Sequence, residues 1–176
     1  MAISMGNDTG RRGTPWRLVG WGGAALLLAL PYIANAPWTP SDYVFMAVLF
    51  GLVGGAFELI VRGSSGLAYR LGAAAAVVTA FMTVWVNAAV GMIGDGPYNL
   101  LFAGVLAVAL LGAAIARFRP SGTALAMLAA AAVQAVLSVI GWFDDPRGGV
   151  LSMVFVVPWL VSATLFRAAR DQGVAK

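Results

Sequence analysis

Only a few polar side chains stand inside the apolar stretches of this 176-residue chain, and any chemistry at membrane depth has to use them. Glu58 is the single acidic one. Arg62 follows one helical turn later, in the order that favours an ion pair on one helix face. A charged side chain in hydrocarbon costs about 2.5 to 3.5 kcal/mol on insertion scales. Glu58 therefore reads either as an interfacial ion pair with Arg62 or as a proton or cation site. The ion pair is the simpler reading, because no second carboxylate or histidine stands in another apolar stretch to continue a relay. A second group comprises Asn87, Asp95, Asn99 and Gln134. Unpaired amides are costly in hydrocarbon, so these residues read as hydrogen-bonding glue between helices. Asn87 and Asn99 are expected to meet across a short connection. The alternative is an outward-facing polar pocket with Trp85 as a stacking wall. Thr79 and Thr83, one turn apart, are expected to bond back to their own helix.

Other chemistry is excluded by what is missing. The chain has no histidine and no cysteine, which removes imidazole and thiolate metal ligands, disulfides and the usual near-neutral proton shuttle. Lys176 is the only lysine, so no Schiff-base lysine lies in an apolar stretch. Ser138 and Ser162 have no base near them in sequence, and no phosphate-binding glycine loop is present. The expectation is a protein that is not an enzyme and carries no cofactor and no metal.

The elements that position these residues follow from composition. Apolar residues make up 61% of the chain and charged ones 10%, with a mean hydropathy of +0.88. Water-soluble domains carry about 25% charged residues. There is too little polar surface to cover a globular core, so the solvent is lipid. A spanning helix needs roughly 20 mostly apolar residues, and six windows meet this: Leu18 to Ala34, Tyr43 to Val61, Leu71 to Ile93, Tyr98 to Ala116, Gly122 to Phe143, and Val150 to Phe166. Proline, glycine and asparagine mark the short gaps between them. All Lys and Arg except Arg147, ten of eleven, lie in the amino-terminal segment, the second and fourth gaps and the tail. Basic residues in short loops stay on the cytoplasmic side. The predicted fold is all-α: an up-and-down bundle of six transmembrane helices with both termini inside. Residues 1–17 form a cytoplasmic segment, 18–166 the membrane domain and 167–176 a cytoplasmic tail. The basic residues flank apolar runs, which points to anionic headgroups of a lipid bilayer rather than nucleic acid. Ala34-Asn35-Ala36 resembles a signal-peptidase site, but Pro37 follows it and the apolar run is long, so a retained first helix is expected.

Small residues are expected to set the packing, since helices in lipid associate by close backbone approach. Gly51 and Gly55 form a GxxxG pair, read as a packing seam within the chain, with a homo-oligomer seam as the alternative. Pro158 is expected to kink the last helix and free a carbonyl near Val154. The runs RLVGWGGAALLLALP, WTPSDYVF, AFEL, WVNAAVGMIG and IARFRP resemble those of an uncharacterised family of small bacterial inner-membrane proteins with six helices. The resemblance covers roughly the first 130 residues and implies location without activity. The Asp95-Gly96-Pro97 connection is shorter than the pattern of that group. The functional expectation is a non-enzymatic accessory or structural subunit of a larger membrane assembly, whose partners are other membrane subunits or further copies of itself. A small transporter or channel using Glu58 or Asn87 is the alternative, and a pigment- or lipid-binding bundle is third.

Overall fold

The computed structural model describes residues 15–63, 66–94 and 96–174. Its described residues form helices α1 (Pro15–Ile33), α2 (Pro40–Gly63), α3 (Leu67–Ala89), α4 (Phe102–Ile115), α5 (Pro120–Trp142), α6 (Pro146–Val154) and α7 (Val156–Val174). A short 3₁₀ turn, Pro97–Leu101, leads into α4. Prolines punctuate this order. Pro15, Pro40, Pro120 and Pro146 each open a helix, where the missing N–H is not needed and the fixed φ suits the first turn. At the start of α2 the Asp42 carboxylate accepts from the Thr39 backbone N–H at 2.7 Å and from its hydroxyl at 2.8 Å, a capping arrangement.

Among the described residues, five stretches are long and apolar enough to cross a membrane: Pro40–Glu58, Leu67–Ala89, Pro97–Ile115, Pro120–Trp142 and Pro146–Gln172. Leu18–Ile33 is a shorter apolar helix. The molecule is thus a helical protein with several apolar helices, consistent with a multi-span membrane protein. Large apolar side chains such as Leu110, Leu111, Val136, Val139, Leu160 and Val161 are exposed, as a lipid-facing surface requires.

The chain divides into two compact units, Met1–Gly54 and Gly55–Lys176. Within the first, Trp21 lies against Gly54, where an added methyl would sit 2.8 Å from the indole ring. The second unit is built around α5, half of whose length is buried, against 22% for α3. α5 packs on α7, α4 and α6, and α3 packs mainly on α7. Sequential neighbours α3 and α4 touch little. A simple up-and-down reading pairs each helix with the next, and this packing order differs from it. Alanines at 73, 109, 124, 126, 130, 131 and 163 are buried and let the helices approach closely around Phe102, Trp159 and Phe166. The last apolar stretch is interrupted at Phe155, three residues before Pro158, because proline offers no N–H to the Val154 carbonyl and its ring crowds that turn.

Candidate functional site

Most of the hydrogen-bonded polar residues of the second unit run from the middle of α3 and α5 toward the ends of those helices at Ala89 and Trp142. On α3, Thr79, Thr83 and Asn87 lie four residues apart and form one polar stripe. Each donates to the carbonyl one turn earlier: Thr79 to Ala75 at 2.6 Å, Thr83 to Thr79 at 2.9 Å and Asn87 Nδ2 to Thr83 at 2.7 Å. The threonines thus behave as expected. Asn87 keeps a buried Oδ1 without a hydrogen-bond partner.

Asn87 and Asn99 do not pair, which corrects the sequence reading. Asn99 serves the connection itself. Its Oδ1 accepts from the N–H groups of Met92 at 2.8 Å and Ile93 at 2.9 Å, and its Nδ2 donates to the carbonyls of Ile93, Gly94 and Gly96. Gly91 and Gly94 have φ of 72° and 54°, a left-handed geometry that wraps the backbone around this one amide.

The deepest cluster joins α5 to α6. Gln134 is fully buried, and its Nε2 donates to the Ser152 hydroxyl at 2.9 Å and the Ser152 carbonyl at 3.1 Å. The Ser138 and Ser152 hydroxyls are 2.7 Å apart, and Ser138 also donates to the Gln134 carbonyl at 2.7 Å. Met92 Sδ lies 3.7 Å from Gln134 Nε2. Gln134 Oε1 has no partner, nor has the Nε1 of Trp159, a residue only 1% exposed. Elsewhere Ser162 donates to the Gly72 carbonyl at 2.7 Å, tying α7 to α3. Tyr98 donates to the Leu137 carbonyl at 2.8 Å. Trp85, the expected wall of a pocket, stacks on Phe81 of its own helix with ring centroids 6.2 Å apart.

At the same end, Asp145 caps α6 by accepting from the Arg147 N–H at 3.1 Å and reaches across to the Gly94 N–H at 3.2 Å. The hydrogen bond from the Gly148 backbone is the main influence holding its carboxyl below the ordinary value; those from Gly94 and Arg147 add to it.

Glu58 lies half-buried on α2. The Arg62 side chain and Asp95 lie outside the described residues, so the expected Glu58–Arg62 pair does too. Among the described residues, a methyl added at Gly51 or Gly55 meets nothing within 4 Å. The closely approached glycine of that helix is Gly54, because it faces Trp21. Among the described residues no group of three His, Cys, Asp or Glu is placed to hold a metal. Ser152 and Asp145 were missed as site residues. The one signal for Ser152 was the small-residue run Gly148-Gly149 ahead of it, which brings α6 close to α5. Open recesses occur at helix turns: one of about 440 Å³ between α4 and α5, and one of about 560 Å³ lined by Tyr32, Ile33, Asn35, Ala36, Trp38 and Tyr43. No protein-family model, curated protein or solved structure matches the chain.

Proposed function

We propose that this chain is a non-enzymatic integral membrane protein that acts as an accessory or structural subunit of a larger membrane assembly. In this reading α1 is a first span, giving six, with both termini in the cytoplasm of a bacterium and the lipid bilayer and neighbouring subunits as partners. The distribution of Lys and Arg supports the orientation, and the resemblance supports the membrane. The observation that carries the role is how the buried polar groups are used. Gln134, Ser138, Ser152 and Ser162 hydrogen-bond to neighbouring helices or their own backbone, with side chains packed among alanines. Such bonds average about 0.6 kcal/mol in membranes and fix helix positions.

A transport role is the second reading, favoured by the unpaired oxygens of Gln134 and Asn87 together with the break at Phe155. The experiment is mild extraction from the native membrane into nanodiscs, followed by native mass spectrometry. A reproducible heavier particle containing other polypeptides supports the subunit reading. A clean monomer or homo-oligomer, with proteoliposome flux lost in Asn87→Ala or Glu58→Gln at normal abundance, replaces it with transport.

A further inference from the structure

The turn between α4 and α5 holds an unusual backbone. Arg117 and Phe118 have φ of 52° and 55°, two consecutive non-glycine residues in the left-handed region. The hydrogen bonds Phe118 N–H to the Ala113 carbonyl and Arg117 N–H to the Ala114 carbonyl, both 2.8 Å, form the double closure of a helix C-terminus that normally places glycine where Arg117 stands. The Tyr69 hydroxyl fastens the turn by donating to the Phe118 carbonyl at 2.9 Å. A left-handed L-residue is strained, and such strain persists where surrounding structure imposes it, often at binding sites. An arginine held at a glycine position asks what its side chain is for.

The turn borders the recess of about 440 Å³, lined by Ile115, Ala116, Arg117, Arg119, Ser121 and Gly122. Its lining thus joins the apolar Ile115 and Ala116 to the basic Arg117 and Arg119 and to Ser121. Neither arginine forms an ion pair among the described residues. α5 begins here without a side-chain cap, leaving the N–H groups of Ser121 and Gly122 unfilled at the positive end of the helix dipole. Thr123, beside the recess-lining Gly122, is 2% exposed and its hydroxyl is without a partner. Gly122 keeps the turn tight, since a methyl there would sit 2.5 Å from the Ala116 Cβ. Ile115 is 83% and Phe118 54% exposed, which places apolar surface directly beside the cationic groups.

We propose that this recess binds the phosphate of an anionic phospholipid, with Arg117 and Arg119 on the phosphodiester, Ser121 and the first N–H groups of α5 completing the donor set, and an acyl chain running along Ile115. The adjoining apolar surface selects a lipid over free phosphate. The site rests on the membrane reading but not on the identity of any partner subunit. Arg117→Gly separates binding from folding, because glycine suits φ of 52° and relieves the strained position while removing the charge.

The test uses the full chain in nanodiscs, titrated with phosphatidylglycerol and phosphatidylcholine and read by native mass spectrometry, with melting temperature measured in neutral lipid. The wild type is expected to retain phosphatidylglycerol in preference. Arg117→Gly and Arg119→Gln should each weaken it about five-fold, with the Arg117→Gly melting temperature unchanged or raised. Arg167→Gln, an exposed basic residue outside the recess, should bind like the wild type. Equal loss in Arg167→Gln, or no loss in the two recess variants, overturns the site. Displacement of the lipid by millimolar inorganic phosphate overturns the lipid assignment. Failure of the chain to enter nanodiscs overturns the membrane reading itself, and this site with it.

Discussion

Replacing Gln134 with leucine removes the most buried side-chain amide among the described residues and asks whether the cluster is glue or something more. The fully buried side chain gives Nε2 bonds of 2.9 and 3.1 Å to Ser152 and leaves Oε1 unpaired. Losing two interhelical bonds at about 0.6 kcal/mol each costs about 1.2 kcal/mol. Removing a buried unsatisfied oxygen returns about 1 to 3 kcal/mol, and a near-isosteric change of shape costs less than about 1.5 kcal/mol. Ser138 still pairs with the Ser152 hydroxyl at 2.7 Å. Gln134→Leu is therefore expected within about 1.5 kcal/mol of the wild type. Gln134→Ala, which leaves a cavity among Met92, Ser138 and Ser152, should lose about 2 kcal/mol or more. The assay is reversible unfolding in mixed micelles titrated with dodecyl sulfate, followed by tryptophan fluorescence. A loss above about 3 kcal/mol for Gln134→Leu would refute the reasoning, since an amide worth that much must have its oxygen satisfied by a ligand or ordered water.

The remaining expectations use the same micelle system. Gly149→Ala should lose about 1 to 3 kcal/mol, because its methyl would sit 2.7 Å from Trp142 Cα and 3.0 Å from the Ser138 carbonyl oxygen, backbone atoms that cannot step aside. Gly141→Ala should lose less, since the obstacle is the movable end of the Ile93 side chain; the reverse order in thermal unfolding refutes this. The folded Asp145 carboxyl titrates below its ordinary 3.8, so the stability it contributes is complete above that value and lost as pH falls through the lower, folded one. Protection of the Gly94 and Gly148 amides in hydrogen exchange should fall over that acid window, and Asp145→Ala should abolish the dependence.

The fold was legible where apolar length alone decides it. The windows Gly122 to Phe143 and Tyr98 to Ala116 lie within a few residues of Pro120–Trp142 and Pro97–Ile115. The third window ran to Ile93, whereas α3 stops at Ala89, because two left-handed glycines turn the chain back onto Asn99. An apolar Met-Ile pair inside such a loop looks like helix by composition. The site was less legible. Asn87, Asn99 and Gln134 were visible as polar atoms at depth, but hydropathy does not set the rotation of a helix about its axis. That rotation decides that Asn99 faces its own loop and that Gln134 meets Ser152. A serine inside an apolar run hardly disturbs the pattern, so the residue at the centre of the cluster left almost no mark in sequence.

Two features that are separate along the chain meet at the Ser152 carbonyl. Pro158 has no N–H for the Val154 carbonyl, and α6 ends there. The chain tightens at Phe155, whose N–H donates to the Ser152 carbonyl at 3.1 Å, and that carbonyl also accepts from Gln134 at 3.1 Å. A carbonyl in a regular helix faces along the axis toward its own i+4 partner, and a second donor from another element approaches it from the side, as Ser162 does at Gly72 and Tyr98 at Leu137. If the proline-induced break also sets the direction of the Ser152 carbonyl, the two features are coupled. Restoring the N–H with Pro158→Ala should let the helix run through Phe155 and turn that carbonyl away from Gln134. A double-mutant cycle of Pro158→Ala with Gln134→Leu, measured by unfolding in micelles, should then show a coupling of about 0.5 kcal/mol or more. Additivity within about 0.3 kcal/mol would mean that the break and the buried cluster are independent, and that the Gln134 amide holds Ser152 however the helix beneath it is wound.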